Sequence, residues 1–334
     1  MPAWSPKADA PRSSAAVQIV VVLVVIAVVA VGAVLFFRSR KKPVEAAGPA
    51  GSTATDQPAP GTNPGPKAAT GQQPGTAAAS LAEVDAQYQT YFVDEATKDR
   101  KKWEGLRAQY SEILKTLDAP EARKPVVEKL GKLNDKVLFS RDFQTADSIT
   151  HKVEPQETIE KISTDYNLPR DCSGAVARIN RTAPERVRVG ETLKVIKPLK
   201  MDIRVSKKHL RLTAYLNGYF FGEFPVGIGM DDATPAGEFA IKAQGKDKNP
   251  NWTKTLEDGS KKTYKFGDPE NILGTRWMGL EEKEGAVGLG IHGTTKDDTV
   301  PGRKSAGCIR MHNADVELLY DFTPDGTKVT ITNN

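Results

Sequence analysis

From Val17 to Phe37 the chain is almost continuously apolar, interrupted only by Gln18 near the start. A helix of that length crosses the hydrocarbon core of a bilayer, so the run predicts a single transmembrane helix. The constraint is severe, because whatever precedes the span and whatever follows it must then lie on opposite sides of a membrane. Residues 1–16 are polar, carry Pro2, Pro6 and Pro11, and read as a disordered N-terminus. A cleaved signal peptide is the alternative. Its apolar core would be shorter, and here Arg38 follows Phe37 directly with no small-residue cleavage site. The uncleaved anchor, residues 17–37, is therefore preferred. Arg38, Arg40, Lys41 and Lys42 follow the span, against Lys7, Arg12 and the amino terminus before it. Taken alone, that bias leans towards a cytoplasmic C-terminal part.

Residues 38–79 are dominated by Pro, Gly, Ala, Thr and Gln and hold almost no large apolar side chain. Such a stretch cannot bury enough surface to fold and reads as a disordered linker, with a random-coil reach of roughly 35 Å. At Ser80 the pattern changes. Ser80-Leu81-Ala82-Glu83 is a capping-box signature, and Leu81, Val84, Tyr88, Tyr91 and Phe92 recur at helical spacing. Trp103, Leu106, Tyr110, Ile113, Leu114 and Leu117 continue the period. A turn at Asp118-Ala119-Pro120 precedes the stripe Val126, Val127, Leu130, Leu133 and Val137. Pro125 implies that this second helix starts after it or kinks there. Residues 80–140 thus predict a helical hairpin whose aromatic stripe is packing surface, with partner recruitment as the alternative.

Charge and cysteine usage exclude several classes. A net charge of +5 without a basic stripe carrying interleaved aromatics argues against a nucleic-acid partner. Cys172 and Cys308 are the only cysteines, so one disulfide is possible but a disulfide scaffold is not, and the setting of Cys308 favours a free thiol. No CxxC pair or HExxH motif occurs, and the four histidines are scattered, so neither a metal site nor a cofactor is expected. Oligomeric state is left open.

Between 148 and 198 the order reads strand, helix, helix, strand. His151-Lys152-Val153 is strand-like, Thr158–Tyr166 and Cys172–Asn180 are amphipathic helices, and Val187–Ile196 holds a glycine turn and a closing strand. This resembles a LysM module, through Val153, Glu157-Thr158-Ile159, Ile162, Tyr166, Ile179-Asn180, Val189-Gly190 and Leu193. The resemblance implies a small βααβ domain that binds N-acetylglucosamine-containing glycans such as peptidoglycan. The Gly-Asp usual before the first helix is Gln156-Glu157 here. A spacer without ligand is the alternative, and Cys172 reads as a buried small residue.

From Met201 onward, short alternating runs are separated by glycine turns. Asn217-Gly218 lies between Leu210–Leu216 and Tyr219-Phe220-Phe221, a strong hairpin signal. The expected fold is mainly β, a sandwich or barrel-like sheet. It carries one short helix over Ala314–Phe322 capped by Asn313, and a last strand over 327–332. Its chemistry concentrates in Ile291-His292-Gly293-Thr294 and Ser305-Ala306-Gly307-Cys308-Ile309-Arg310-Met311. A cysteine nucleophile needs a base for its proton and backbone N–H groups for the oxyanion. The candidates are Cys308 as nucleophile, His292 as general base and the N–H groups of Gly307 and Cys308 as oxyanion donors. Arg310 is a candidate for pairing with a substrate carboxylate. Trp252 and Ser305 are further candidates for contacting substrate, with hydrogen bonding within the loop as the alternative for Ser305.

Five ordered pieces over residues 200–332 resemble the catalytic domain of the L,D-transpeptidases, the YkuD-like family. They are Pro225-Val226-Gly227-Ile228-Gly229, Thr234-Pro235-Ala236-Gly237-Glu238-Phe239, Leu273-Gly274, Gly290–Thr294 and Ser305–Met311. The resemblance implies attack by Cys308 on the L-centre carbonyl of diaminopimelate in a tetrapeptide stem, with loss of D-alanine. A neighbouring diaminopimelate amine then resolves the thioester into a 3→3 cross-link. The backbone carbonyl of Gly293 would orient His292. The family commonly has a histidine directly before the Gly-Cys pair, and Ala306 stands there instead. Peptidoglycan lies outside the cytoplasmic membrane, which places the domains after the anchor facing the cell wall or periplasm, against the charge bias. An L,D-carboxypeptidase, a non-catalytic peptidoglycan-binding tether, and a structural membrane protein recruiting partners through its helical hairpin are the competing readings.

Overall fold

The computed structural model describes residues 80–94, 101–283 and 286–334. The anchor and linker readings over 1–79 lie outside them, and among the described residues no helix is long and apolar enough to cross a membrane.

The alternation after Met201 becomes strands β3 (Met201–Ser206), β4 (Arg211–Leu216), β5 (Tyr219–Pro225), β6 (Gly227–Gly229) and β7 (Gly237–Lys248). It continues through β8 (Trp252–Thr255), β9 (Lys261–Tyr264), β10 (Arg276–Leu280), β11 (Gly290–His292), β12 (Gly302–Ser305), β13 (Ile309–Arg310) and β14 (Lys328–Thr332). Ten of these form one sheet in the order β12-β6-β13-β11-β10-β7-β14-β3-β4-β5, while β8 and β9 pair only with each other. The sandwich or barrel-like sheet expected from the sequence is a single curled sheet, and β7 is its corner. Its first residues, Gly237 to Ala240, pair with β14; Ile241 and then Lys246 to Lys248 pair with β10. Between them Gln244 takes φ 55°, and a Cβ on Gly245 would stand 2.8 Å from the Cβ of Lys242. Long strands that bend in this way pass a sheet from one face of a core to the other.

Alternate side chains of both halves meet inside. Ile203, Val205, Phe239, Ile241, Val329 and Ile331 from one half share a core with Met278, Leu280, Ile291 and Ile309 from the other. A helix, Asn313–Phe322, packs Val316, Leu319 and Phe322 into the same core. Asn217 (φ 52°) and Gly218 (φ 88°) make the turn between β4 and β5, since both positions need the left-handed region.

The helical segment comprises α1 (Leu81–Tyr88), a π turn over Gln89–Val93, α2 (Lys101–Thr116) and α3 (Pro120–Val137). Ser80 and Glu83 close the capping box, with the Ser80 N–H donating to the Glu83 carboxylate at 2.7 Å. The helix after the turn begins at Pro120 and runs through Pro125, rather than starting beyond it. Its N1 proline loses no bond, because that N–H would be unpaired anyway. Leu106, Tyr110, Leu114, Val126, Leu130 and Leu133 form a second core, closed by Tyr215 and Phe220 from β4 and β5.

Strand β5 is an edge of the sheet, and its pairing with β4 shifts register next to Tyr215. There the helices supply partners. The Phe220 N–H donates to Ser111 Oγ at 2.9 Å, and Asn134 Nδ2 donates to the carbonyls of Phe220 and Phe221 at 3.0 and 3.1 Å. The exposed-edge problem is solved by covering rather than by charge.

Residues 148–196 fold as β1 (Ser148–Lys152), α4 (Ile159–Asp165), α5 (Ser173–Ile179) and β2 (Thr192–Ile196), with β1 and β2 antiparallel. Cys172 is fully buried. Helix α5 docks on the C-terminal helix of the sheet domain, α6 (Asn313–Phe322). Arg178 Nε donates to Asp321 at 2.9 Å, and a Cβ on Gly174 would lie 2.4 Å from the Asp321 carboxyl carbon.

Candidate active site

Strands β11 and β13 run parallel, with Ile291 opposite Ile309 and His292 opposite Arg310. Successive side chains in a strand point to opposite faces. Ile291 and Ile309 enter the core, so His292 and Arg310 project from the other face, as does Cys308 one step before β13. The topology therefore brings the histidine, the cysteine and the arginine onto one face of two adjacent strands.

The cysteine loop is held from several sides. Gly307 takes φ 143°, and a Cβ there would lie 3.0 Å from both the Ala233 carbonyl oxygen and Leu289 Cδ2. Only glycine fits that backbone so close to its neighbours. Ser305 Oγ donates to the Cys308 carbonyl at 2.7 Å and accepts the Gly307 N–H at 3.2 Å. Thr234 Oγ1, fully buried, accepts the Gly229 N–H at 2.8 Å and donates to the Gly307 carbonyl. The Thr-Pro-Ala-Gly piece and the cysteine loop are thus one hydrogen-bonded unit.

Two sequence expectations change here. The Gly307 N–H is bonded to Ser305, which leaves the Cys308 N–H, with no acceptor among the described residues, as the oxyanion donor to consider. Ser305 is 2% exposed and faces the loop, so it shapes the backbone rather than meeting a ligand.

Cys308 is partly exposed. Burial pushes its thiol up, opposed by the Gly290 N–H and the positive charge of Arg310. Sγ donates weakly to the Gly288 carbonyl at 3.7 Å, and no hydrogen bond joins it to the imidazole among the described residues. At rest the thiol keeps its proton, so nucleophilic chemistry at this sulfur requires a base.

His292 is 1% exposed, and its Nδ1 lies 2.6 Å from the Gly293 carbonyl oxygen. A carbonyl only accepts, so Nδ1 carries the hydrogen and Nε2 is left with a lone pair. Burial lowers its pKa to about 4; the Gly293 and Leu273 carbonyls oppose this, and the Arg310 charge adds to it. The imidazole is therefore neutral at pH 7, the form that can take a proton.

The turn after His292 is fixed by Asn313. Read from sequence as a helix cap, this residue is instead the first helical residue of α6, and His312 is the N-cap position. The Asn313 Oδ1 accepts the N–H groups of Thr275 and Thr294 at 3.1 and 3.2 Å, and Nδ2 donates to the Thr294 carbonyl at 2.8 Å. A Cβ on Gly274 or Gly293 would fall 2.3 or 2.2 Å from that oxygen. Both glycines are thereby explained by one amide.

Arg310 is half-buried, and its Nε is buried without a hydrogen-bond partner. A guanidinium left in that state beside a nucleophile is suited to an incoming anion. Trp252 is not brought to this face by any ring contact or hydrogen bond with Cys308 or His292 among the described residues. It stacks on Tyr264 in the β8–β9 hairpin, with centroids 5.2 Å apart. The hairpin's base is tied to the His292 turn through Asn271, whose carbonyl accepts from Thr295 Oγ1 at 3.2 Å. His312 pairs with Asp297 at 3.2 Å.

Sequence reasoning missed Trp277, whose ring stacks on His292, and the clasps made by Thr234 and Asn313. Thr234 opens the Thr-Pro-Ala-Gly motif, but nothing in that motif says which distant carbonyl it reaches.

The family model of the L,D-transpeptidase catalytic domain, YkuD, matches residues 200–331. The Bacillus subtilis protein named "Putative L,D-transpeptidase YqjB" is 38% identical over 142 residues, covering 41% of this chain and 75% of that protein. "Putative L,D-transpeptidase YkuD" of Bacillus licheniformis is 27% identical over 194 residues, covering 55% of this chain and 99% of that protein. Among solved structures, L,D-transpeptidase 3 of Mycobacterium tuberculosis is matched with TM-score 0.33 and 14% identity over 43% of this chain and 65% of that one. The family match spans β3 to β14, and the identity to YqjB extends over three quarters of that protein, so this chain belongs to the YkuD family of L,D-transpeptidases.

Proposed function

We propose that the chain is a cysteine-dependent L,D-transpeptidase that cross-links peptidoglycan stems through a thioester. The observation that carries the reading is the placement of Cys308 beside a neutral His292 on one face of two parallel strands, with the partnerless Nε of Arg310 next to them. Nε2 of His292 takes the thiol proton as Sγ adds to the donor carbonyl. The Cys308 N–H holds the developing oxyanion. The imidazolium, held at Nδ1 by the Gly293 carbonyl, returns the proton to the departing amine of D-alanine. The same neutral imidazole then deprotonates the acceptor amine of a neighbouring diaminopimelate, and collapse of the second tetrahedral adduct releases Sγ and leaves a 3→3 bond. Arg310 pairs with a carboxylate of the donor stem.

The remaining parts support a wall-facing role. Residues 17–37 would anchor the chain in the cytoplasmic membrane, 38–79 would hold it off the surface, and 148–198 would act as a LysM-like glycan-binding module on the same side as the stems. The 80–140 helices serve as packing. If water replaces the amine, the same thioester gives an L,D-carboxypeptidase.

The test is intact-mass analysis after incubation with a carbapenem. A covalent adduct that disappears in Cys308→Ala supports the thioester. An unmutated, folded protein that stays unmodified refutes it. Protease added outside spheroplasts should remove the C-terminal domains; their protection would reverse the orientation.

A further inference from the structure

The geometry points to Trp277 as a positioning residue for His292, a reading that rests on the acyl-transfer function proposed above. Trp277 lies directly opposite His292 in the antiparallel pair β10–β11, on the same face as Cys308. The indole and imidazole rings have centroids 5.8 Å apart and planes 29° from parallel. Trp277 is half-buried and stands outside the hydrophobic core that receives its neighbour Met278.

What the indole rests on is the telling feature. Gly279 and Gly290 are register partners, a pair of glycines facing each other in the middle of a sheet. Glycine weakens a strand interior and often marks close approach by another group. Here a Cβ on Gly290 would lie 2.5 Å from Trp277 Cη2, and one on Gly279 would lie 3.2 Å from Nε1. The glycine pair is a bare bed, and the indole fills it. Gly290 is also the residue whose N–H faces Cys308 Sγ, so the indole rests on the same strand that carries the base and faces the nucleophile.

Two consequences follow for the imidazole. The Gly293 carbonyl fixes one nitrogen, and the indole fixes the ring plane, so Nε2 has one direction in which to point. The indole also replaces water on one side of the ring. The charged and titratable groups around His292 are Arg310 and Cys308 on the β13 side and Asp247, opposite Trp277 on β7. Arg276 sits over the Tyr320 ring, and Asn313 is neutral. None of these changes when Trp277 is replaced.

The experiment uses the full chain, with ¹⁵N-labelled histidine to follow imidazole titration and intact mass to follow carbapenem acylation from pH 4 to 9. The His292 signals are assigned by their loss in His292→Gln. In Trp277→Leu, water reaches the ring, His292 titrates at least one pH unit higher, acylation slows at least tenfold at pH 6, and the acid limb moves to higher pH. Trp277→Phe keeps the stack and stays within threefold of the parent. A folded Trp277→Leu variant with the parent's titration and rate overturns the proposal. Should that variant not fold, Gly290→Ala, which lifts the indole from its bed, carries the same expectation and the same refutation. A parent that never forms an adduct refutes the acyl-transfer reading, whereas the imidazole titration still judges the stack.

Discussion

The hydroxyl of Thr234 donates to the carbonyl oxygen of Gly307 at 2.7 Å, joining residues 73 apart in sequence. The Thr234 hydroxyl oxygen also accepts the Gly229 N–H, so one buried atom ties a strand end to the loop that carries the cysteine. Thr234→Val keeps the shape and removes both bonds. Two buried groups are left unpaired, at about 1–3 kcal/mol each. We expect a loss of about 2–6 kcal/mol in urea unfolding, acylation by a carbapenem slowed by at least tenfold, and near-parental behaviour for Thr234→Ser. A valine variant that acylates at the parental rate would show that the clasp does not position the sulfur.

His292 sets a pH dependence whose sign is fixed by burial. Its folded pKa, about 4, lies below the ordinary value of 6.5. The unfolded chain therefore binds a proton that the folded chain refuses, and stability falls as pH drops from 6.5 to 4. The contribution is fully present above 6.5. A difference of this size corresponds to about 3 kcal/mol lost across that window. Urea unfolding at closely spaced pH values should show the slope, and His292→Gln should flatten it. Catalysis should follow: with the imidazole pushed down and the Cys308 thiol pushed up, acylation should hold a plateau through neutrality with its acid limb near pH 4.

Arg310 should act on anions more strongly than on the sulfur. Arg310→Gln removes a charged donor, and a hydrogen bond to a charged group is worth about 1.5–3 kcal/mol, or roughly 10–100-fold. Carbapenem acylation should slow by that amount. Alkylation of Cys308 by iodoacetamide, a neutral reagent, should change by less than about threefold if each tenfold requires about 1.4 kcal/mol. Equal losses with both reagents would mean that the guanidinium tunes the thiol instead.

Gln156 holds a left-handed backbone, φ 67°, at the turn before α4. Glycine enters that region without steric cost, whereas the Cβ of a glutamine does not, so the turn carries backbone strain. A non-glycine residue in that region costs about 1–2 kcal/mol, partly offset by the greater chain entropy that glycine loses on folding. Gln156→Gly should raise stability by about 0.5–1 kcal/mol, or roughly 2 °C in Tm. A lower Tm would mean that the Gln156 side chain contributes more than its backbone costs.

Much of this architecture is legible locally, because its signals are local. The Asn217-Gly218 turn, the Ser80-Glu83 capping box and the strand period after Met201 depend on neighbours a few residues away. The motif pieces around His292 and Cys308 are equally local. What escapes is set by pairing at long range. Asn313 resembles a cap because caps are the commonest use of asparagine before a helix, yet its amide is drawn to Thr275 and Thr294. The stacking of Trp252 on Tyr264 needs the β8–β9 pairing, which the tryptophan's own neighbours do not reveal. The placement of Trp277 requires the β10–β11 register, which no short window contains.

The covering of β5 by Ser111 and Asn134 changes what should count as the smallest working piece of this chain. The family match begins at residue 200, but a fragment cut there would bare the faces of Tyr215 and Phe220 together with an open strand edge. Such an edge invites a second molecule to add its own strand. The evolutionary unit and the soluble unit therefore have different starting points. Recombinant enzyme intended to stay monomeric should begin before Ser80, even though the chemistry lies more than two hundred residues further on.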